Sequence, residues 1–232
     1  MASTYIKDKE IIDNEISPFL DEFFYNKSFH PKGKVNFTRV TDRVLQNKGI
    51  DGYLKNNIAV DEKIATHYVN SSLNTFAFEI NYLKDNNILD GWLFGDKYSE
   101  TIYYILGYLK CKDIMEKDWT NIKKDNIEQI DLIFVKKESI HNFLLEFDIT
   151  KENYHEKSQK LRNHLKNTNS RDKQVNIKVN GTTKSIRWYL SPGNHYYENP
   201  LNILIQKADL CDLAKYCFEV TRDQIKMVDK IK

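Results

Sequence analysis

The stretch GIDGYLKNNIAVDEK, residues 49 to 63, decides the fold because it combines a hairpin pattern with a cluster of charged residues. Two short apolar runs, IDGYL and IAVDEK, flank the turn residues KNN, and this pattern predicts a β-hairpin. On the second strand Asp61 and Lys63 share one face, whereas Glu62 lies on the other. Asp51 lies near the start of the partner strand, so the short turn can bring it to the same end of the hairpin as Asp61.

The charged residues of this hairpin point to one kind of chemistry. Two carboxylates held close together repel each other, so one resists ionisation unless a cation lies between them. Mg²⁺, or Mn²⁺ in its place, meets that need because it takes one or two protein carboxylates and keeps positions open for phosphate and water. The Lys63 ammonium can orient or activate the attacking water and stabilise the charge that develops on a phosphorane. Asp51, Asp61 and Lys63 are therefore the candidate catalytic residues for metal-assisted phosphodiester hydrolysis.

An aspartate followed by an Asp-x-Lys on a hairpin, behind an N-terminal helix, resembles the PD-(D/E)XK nuclease superfamily with its restriction-endonuclease-like fold. The resemblance covers approximately residues 36 to 82. It implies that Asp51 is the first metal-binding aspartate and Asp61 the second acidic ligand. It also implies that Lys63 is the catalytic lysine and that the main-chain carbonyl of Glu62 is a further metal ligand. A register shifted by one residue would instead make the Glu62 side chain the second ligand.

The order of segments along the chain predicts the fold class. Helical patterns come first, several strands follow, and helices then return with more strands, which indicates a mixed α/β or α+β protein. The resemblance implies a restriction-endonuclease-like core with a central mixed β-sheet flanked by helices. We expect extra strands beside it and a C-terminal β-hairpin that turns at Asn180-Gly181. One domain is predicted for residues 1–232, with the nuclease-like core at about 15–148 and a helix and hairpin extension at 149–232.

Two local patterns give further expectations. Ser17-Pro18 is a favourable helix start, because Ser can cap the free N–H groups and Pro suits the first helical position. The alternating run TFAFEINY, which begins at Thr75, predicts a strand, and we expect it in the same sheet as the hairpin. Glu79 lies on the polar face of that strand, where it is either a third active-site acid or a solvated residue.

Nucleic acid is the expected partner, although the net charge of the chain neither indicates nor excludes nucleic-acid binding. Lys and Arg total 35 against 33 Asp and Glu, a net charge of +2, so a local basic patch matters more than the total. The densest basic region includes Lys160, Arg162 and Arg171, and a helix and loop there could follow a phosphate backbone. A solvated helix face with Glu152 and Glu156 explains the same run equally well. We expect double-stranded DNA as the partner, with RNA left open, and a homodimer is compatible with that role.

Composition bounds the class of protein. Hydrophobic residues make up 41% and charged residues 29%, so a packed core is feasible. No run of about eighteen apolar residues appears, and the first residues lack the apolar segment of a secretory signal, so we expect no membrane association and no secretion. Three cysteines without a CxxC pair suit the reducing cytoplasm. The sequence thus predicts a cytoplasmic metal-dependent deoxyribonuclease, of restriction type or from a mobile element. The alternative is a catalytically silent relative that binds nucleic acid or a protein partner.

Overall fold

The computed structural model describes residues 4–27, 31–85, 87–167, 173–191 and 199–228. The backbone contacts divide the chain into two compact units that alternate along the sequence. The first unit consists of Met1–Leu73, Thr101–Lys136 and Ala214–Lys232, and the second unit consists of Asn74–Glu100 and Lys137–Leu213. This division does not decide the single-domain organisation with a core at 15–148, which stays a prediction.

Helices and strands are mixed along the chain, which confirms the predicted α+β class. Six α-helices occur in the described residues: α1 (Thr4–Ile11), α2 (Ser17–Leu20), α3 (Arg43–Gln46), α4 (Lys137–Leu145), α5 (Tyr154–Asn167) and α6 (Lys207–Leu213). The same residues contain twelve strands: β1 (Phe37–Arg39), β2 (Gly52–Leu54), β3 (Ile58–Ile64), β4 (Thr75–Lys84), β5 (Asn87–Asp90), β6 (Tyr103–Cys111), β7 (Ile127–Lys136), β8 (Gln174–Lys178), β9 (Ser185–Leu190), β10 (Leu201–Gln206), β11 (Tyr216–Val220) and β12 (Ile225–Val228). No helix in the described part of the chain is both long enough and apolar enough to cross a membrane.

The first unit contains a mixed sheet of seven strands in the order β1-β2-β3-β6-β7-β11-β12. β3 and β6 run parallel, whereas every other neighbouring pair is antiparallel. A parallel pair needs a long crossover connection. Here the chain between β3 and β6 includes residues 74–100 of the second unit. The predicted hairpin, β2 and β3, therefore lies next to the parallel step of this sheet.

The N-terminal helical segment continues through Ser17 and does not begin there. A π-helical turn, Ile12–Ile16, joins α1 to α2, and a second π-helical turn, Asp21–Tyr25, follows α2. Ser17 has helical backbone angles, with φ −60° and ψ −44°, so the prediction that it starts the helix is wrong. Pro18 lacks the N–H that an α-helix interior would use. The wider turns flank this proline, as π-turns do where regular α-helical bonding is interrupted.

The helical segment packs its apolar face on the sheet of the first unit. The Phe24 ring lies 5.8 Å from the ring of Phe134 on β7 and 5.3 Å from that of Phe218 on β11, measured between centroids. Phe19 and Leu20 of α2 are fully buried in the same core. Each such side chain contributes about 1.5–3 kcal/mol when it leaves water. This packing fixes the helical segment against the face of the sheet that carries Phe134.

The second unit contains an antiparallel sheet of five strands in the order β5-β4-β10-β9-β8, together with α4, α5 and α6. The strand that begins at Thr75 is β4, and its neighbours are β5 and β10, so the prediction that it joins the hairpin's sheet is wrong. The alternation of Phe76, Phe78 and Ile80 defines a buried face, but a face pattern does not specify the partner strand. The predicted C-terminal hairpin is confirmed as β8 and β9, with Gly181 in its turn at φ +75°.

Candidate metal centre

The hairpin places Asp51 beside Asp61. β2 and β3 are antiparallel, and their pairing ends with Gly52 opposite Val60, so Asp51 and Asp61 are the next residues on the two strands. The Asp51 N–H donates to the Val60 carbonyl at 2.8 Å and not to Asp61, so the regular pairing of the two strands ends at Gly52 and Val60. The predicted hairpin is therefore confirmed, and it brings the Asp51 carboxylate close enough to Asp61 to affect its pKa.

The turn between the strands fixes this register. Leu54 is opposite Ile58, so three residues, Lys55 to Asn57, make the connection. Asn56 and Asn57 both have positive φ, 66° and 57°. Asparagine visits the left-handed region more readily than most residues, because its short side chain can bond locally. The KNN turn of the sequence therefore supplies the residues that the observed alignment needs.

Asp61 is almost fully buried, with 1% of its surface exposed. Its Oδ1 accepts a hydrogen bond from the Lys63 ammonium at 2.6 Å, whereas its Oδ2 has no partner among the described residues. Burial, opposed in part by Lys63 and reinforced by the neighbouring Asp51 carboxylate, raises the pKa of Asp61 to about 8. Without a further cation, Asp61 is therefore mostly protonated at neutral pH.

The Asp51 carboxylate is hydrogen-bonded to the backbone of the opposite strand. Its Oδ2 accepts a hydrogen bond from the main-chain N–H of Glu62 at 2.9 Å. This bond runs to the residue that follows Asp61, so it holds the Asp51 carboxylate beside the position where Asp61 projects. The close approach of the two acids is one cause of the raised pKa of Asp61, because the Asp51 carboxylate repels a second negative charge.

The Glu62 side chain lies on the other face of β3, where it meets the N-terminal helical segment. The Tyr25 hydroxyl donates to its Oε1 at 2.6 Å, and the Arg39 guanidinium pairs with its Oε2. Burial raises the pKa of Glu62, although Arg39 and Tyr25 oppose that effect. The shifted register that would make this side chain the second metal ligand is therefore not the one found. The cation that a buried Glu62 requires is Arg39.

These residues fit a small divalent cation. No group of three or more His, Cys, Asp or Glu side chains suited to a metal occurs in the part of the chain that the structure describes. Mg²⁺ needs only one or two protein carboxylates, since water and phosphate fill its other positions. Asp51 and Asp61 supply that number at one end of the hairpin. The unpartnered, buried Oδ2 of Asp61 is an acceptor that a cation would satisfy.

The proposed third acid belongs to a different sheet. Glu79 lies on β4, in the second unit, and is not on a strand next to the hairpin. Gly91 passes so close to the Glu79 backbone that a Cβ added there would lie 2.3 Å from the Glu79 carbonyl oxygen. Within the first unit, the structure thus brings together Asp51, Asp61 and Lys63, and its sheet does not include Glu79.

The three candidate nucleic-acid contacts differ in their surroundings. Lys160 is exposed and pairs with Glu156 one helical turn away on α5. Arg162 is buried, with 1% exposure, and its guanidinium donates to the Asn81 side chain and to the Asn199 carbonyl. Residues two apart on a helix lie on different faces, which is why one cation is solvated and the other is not. This placement argues against Arg162 as a phosphate contact. Arg171 lies outside the described residues.

Tyr25 and Arg39 are the partners that sequence reasoning missed. Arg39 lies on β1 and binds Asp21 as well as Glu62, so it connects the helical segment to the sheet. The signal that could have found it is the acidic Glu62 itself. Its strand face is shared with the apolar Val60, and a carboxylate buried there requires a cation.

Comparison with protein-family models, with curated proteins and with solved structures finds no match to this chain. The chemistry open to the candidate metal centre therefore follows from its own side chains.

Proposed function

We propose that the protein is a Mg²⁺-dependent deoxyribonuclease, with Mn²⁺ as a substitute, that hydrolyses phosphodiester bonds of double-stranded DNA as a restriction-type or mobile-element endonuclease. The observation that carries the proposal is the Asp61 carboxyl. It is buried beside Asp51, has one oxygen on Lys63 and has the other oxygen without a partner among the described residues. A purely structural strand would gain stability from an apolar residue at that position, because an unsatisfied buried carboxylate is costly.

Each residue of the centre has a distinct role in this proposal. Asp51 and Asp61 hold the cation, and the backbone bond from Glu62 orients the Asp51 carboxylate for that purpose. A bound Mg²⁺ supplies a Lewis acid for the phosphoryl oxygens and lowers the pKa of its water. Lys63, about a third exposed, directs its ammonium along the face that carries Asp61. It orients the attacking water and stabilises negative charge on the phosphoryl group.

The fold supports a restriction-endonuclease-like core as part of this proposal. A helical segment precedes the hairpin, and the hairpin belongs to a mixed sheet with a helical layer on one face. After β3 the chain makes a single 3₁₀ turn at Thr66–Tyr68 and then enters the second unit. We place the activity in the cytoplasm on the basis of cysteine usage.

A catalytically silent relative that binds nucleic acid or a protein is the second candidate. The observation in its favour is the direct contact between Lys63 and Asp61, at 2.6 Å. The Lys63 ammonium satisfies one oxygen of the buried carboxyl without any metal. In that case the hairpin acids would be a structural remnant, and divalent cations would neither bind at the centre nor change what the protein does.

Cleavage of supercoiled plasmid DNA, with Mg²⁺, with Mn²⁺ and with EDTA, tests the proposal, and calorimetric titration of Mg²⁺ into the protein alone provides a second readout. Asp51→Asn and Asp61→Asn should abolish both cleavage and Mg²⁺ binding. Asp125→Asn is the matched control, since its side chain is 98% exposed in the same unit. Cleavage by both hairpin variants at the unchanged rate would overturn the proposal. DNA binding without Mg²⁺ binding or cleavage would establish the silent alternative.

A further inference from the structure

We propose that Tyr25, Arg39 and Glu62 form a positioning network that sets the candidate metal centre from the opposite face of the sheet, an inference that rests on the proposed function. The network acts through the strand and does not touch the reacting atoms. Glu62 stands between Asp61 and Lys63 in sequence, and its main-chain N–H is the donor that holds Asp51. Whatever fixes Glu62 therefore fixes the backbone on which all three candidate catalytic residues depend.

Both carboxylate oxygens of Glu62 accept hydrogen bonds. The Tyr25 hydroxyl donates to Oε1 at 2.6 Å, and the Arg39 guanidinium pairs with Oε2. Arg39 in turn donates from Nε to Oδ2 of Asp21 at 3.0 Å and from Nη2 to Oδ1 at 2.7 Å. A forked guanidinium that uses both sides in this way has little freedom to rotate. The Glu62 side chain is thus tied to the helical segment and to β1 at once.

Stability alone is a weak reason for this arrangement. A buried ion pair loses its hydration, and replacing such a pair by apolar residues of similar volume is often neutral or stabilising. Glu62 is 7% exposed and its neighbours on the same face, Val60 and Ile64, are apolar. A hydrophobic residue at position 62 would suit that face, so the carboxylate calls for a reason other than stability.

Register provides that reason. Asp61 and Glu62 are adjacent acids, so a slip of one residue would place Glu62 opposite Asp51 and turn Asp61 and Lys63 to the other face. The observed register, with Gly52 opposite Val60, is the one that leaves Asp51 beside Asp61. Because Tyr25 and Arg39 bind Glu62 on the far face, the network favours that register over the slipped one.

Gly52 shows that the chain makes room for this network. β2 lies between β1 and β3, so the side chains that link β1 to β3 must cross β2. A Cβ at Gly52 would lie 2.2 Å from Cζ of Phe37. The Phe37 ring stacks on the Tyr25 ring at 4.0 Å, and the Arg39 guanidinium lies 5.1 Å from the Phe37 centroid. The glycine directly after Asp51 thus leaves space for the aromatic layer that supports Tyr25 and Arg39.

The test compares Tyr25→Phe and Glu62→Gln with the control Ile64→Val, a partly buried residue on the same face of β3 that takes no part in the network. Tyr25→Phe keeps the ring stacked on Phe37 and removes only the hydroxyl, so it should fold. Both network variants should raise the Mg²⁺ concentration for half-maximal cleavage about tenfold or more, as changes behind metal ligands commonly do. Cleavage at saturating Mg²⁺ should recover most of the original rate. The two changes together should be less than additive, since they break one network.

The controls separate the possible failures. Ile64→Val should lower the melting temperature without moving the Mg²⁺ dependence. The network variants are compared with Ile64→Val at the same loss of melting temperature. If the Mg²⁺ concentration for half-maximal cleavage rises no more in the network variants than in Ile64→Val, the network is only structural and the inference is overturned. Exchange of the Glu62 amide hydrogen, followed by NMR, should speed up at least tenfold in Tyr25→Phe, and an unchanged rate also overturns the inference. If the unaltered protein neither binds Mg²⁺ nor cleaves DNA, the proposed function fails, and the inference fails with it.

Discussion

The Lys63 ammonium lies 2.6 Å from Oδ1 of Asp61, two residues along the same strand and on the same face. One oxygen of a buried carboxyl is thus bound to a lysine while the other has no partner among the described residues. A cation that binds at the second oxygen would share Asp61 with the lysine. In the proposed function, a proton, the Lys63 ammonium and a metal ion would therefore compete for one carboxyl group.

The first expectation concerns stability in the absence of metal. Burial raises the pKa of Asp61 from 3.8 to about 8, so the folded protein holds that proton more tightly than the unfolded chain. The contribution to stability is complete below pH 4 and is lost as the pH rises to about 8, at about 1.4 kcal/mol per pH unit as an upper bound. Urea unfolding in EDTA, between pH 5 and pH 9, should show this decline. Asp61→Asn should remove it, and parallel curves for the two proteins would contradict the assignment.

A second expectation follows for metal binding. Mg²⁺ at Asp61 must displace the proton, so binding below pH 8 should release close to one proton per ion. The affinity should therefore rise up to tenfold per pH unit below pH 8 and level off above it. Calorimetry in two buffers of different ionisation enthalpy measures the proton release directly. Binding that is independent of pH between 6 and 8 would show that Asp61 is not a ligand.

The hairpin and its pair of acids could be predicted from sequence because both depend on local pattern. Alternation, the KNN turn and the spacing from Asp51 to Asp61 lie within a dozen or so residues, and the pairing of β2 with β3 follows from them. The sheet that β4 joins could not be predicted in the same way. Its partner β10 comes from a distant part of the chain, and a face pattern does not specify a partner.

The roles of Arg39 and Arg162 illustrate the same limit. Both lie in charged stretches, yet each binds an acceptor far along the sequence, Glu62 for Arg39 and Asn81 for Arg162. A run of charges indicates how many cations a segment has, but not which of them meets a buried acceptor. Only the acidic residue in a buried strand, Glu62, gave a signal that such a partner exists.

Arg162 should behave as a structural residue. Arg162→Ala leaves the buried Asn81 oxygens and the half-buried Asn199 oxygens without their donor, at about 1–3 kcal/mol each, so the free energy of unfolding should fall by about 3 kcal/mol. Lys160→Ala removes only an exposed pair with Glu156 and should change stability by less than about 0.5 kcal/mol. Urea unfolding of both variants measures the difference. Equal, small effects would mean that the buried bonds of Arg162 do not form in solution.

Gly52 should be intolerant of any side chain. Gly52→Ala would place a Cβ 2.2 Å from the partly buried Phe37 ring, which stacks on Tyr25 and must shift to accommodate it. Overpacking of this kind costs about 1–3 kcal/mol. Adding Phe37→Leu should restore part of the loss, so that the double variant is more stable than the sum of the single changes implies. Strict additivity in thermal melts would place the cause elsewhere than at the Phe37 ring.

Lys63 should separate cleavage from metal binding. Lys63→Ala removes the ammonium that occupies Oδ1 of Asp61, so Mg²⁺ should bind at least as tightly as in the unaltered protein. Cleavage should nevertheless fall about a hundredfold or more, because the group that orients the water and stabilises phosphoryl charge is gone. The variant should fold at neutral pH, since Asp61 is then mostly protonated. Lys123→Ala, an exposed lysine of the same unit, is the control and should match the unaltered protein in both assays. Loss of Mg²⁺ binding together with cleavage would make Lys63 a structural partner of Asp61, whereas cleavage at the full rate would remove it from the catalytic centre.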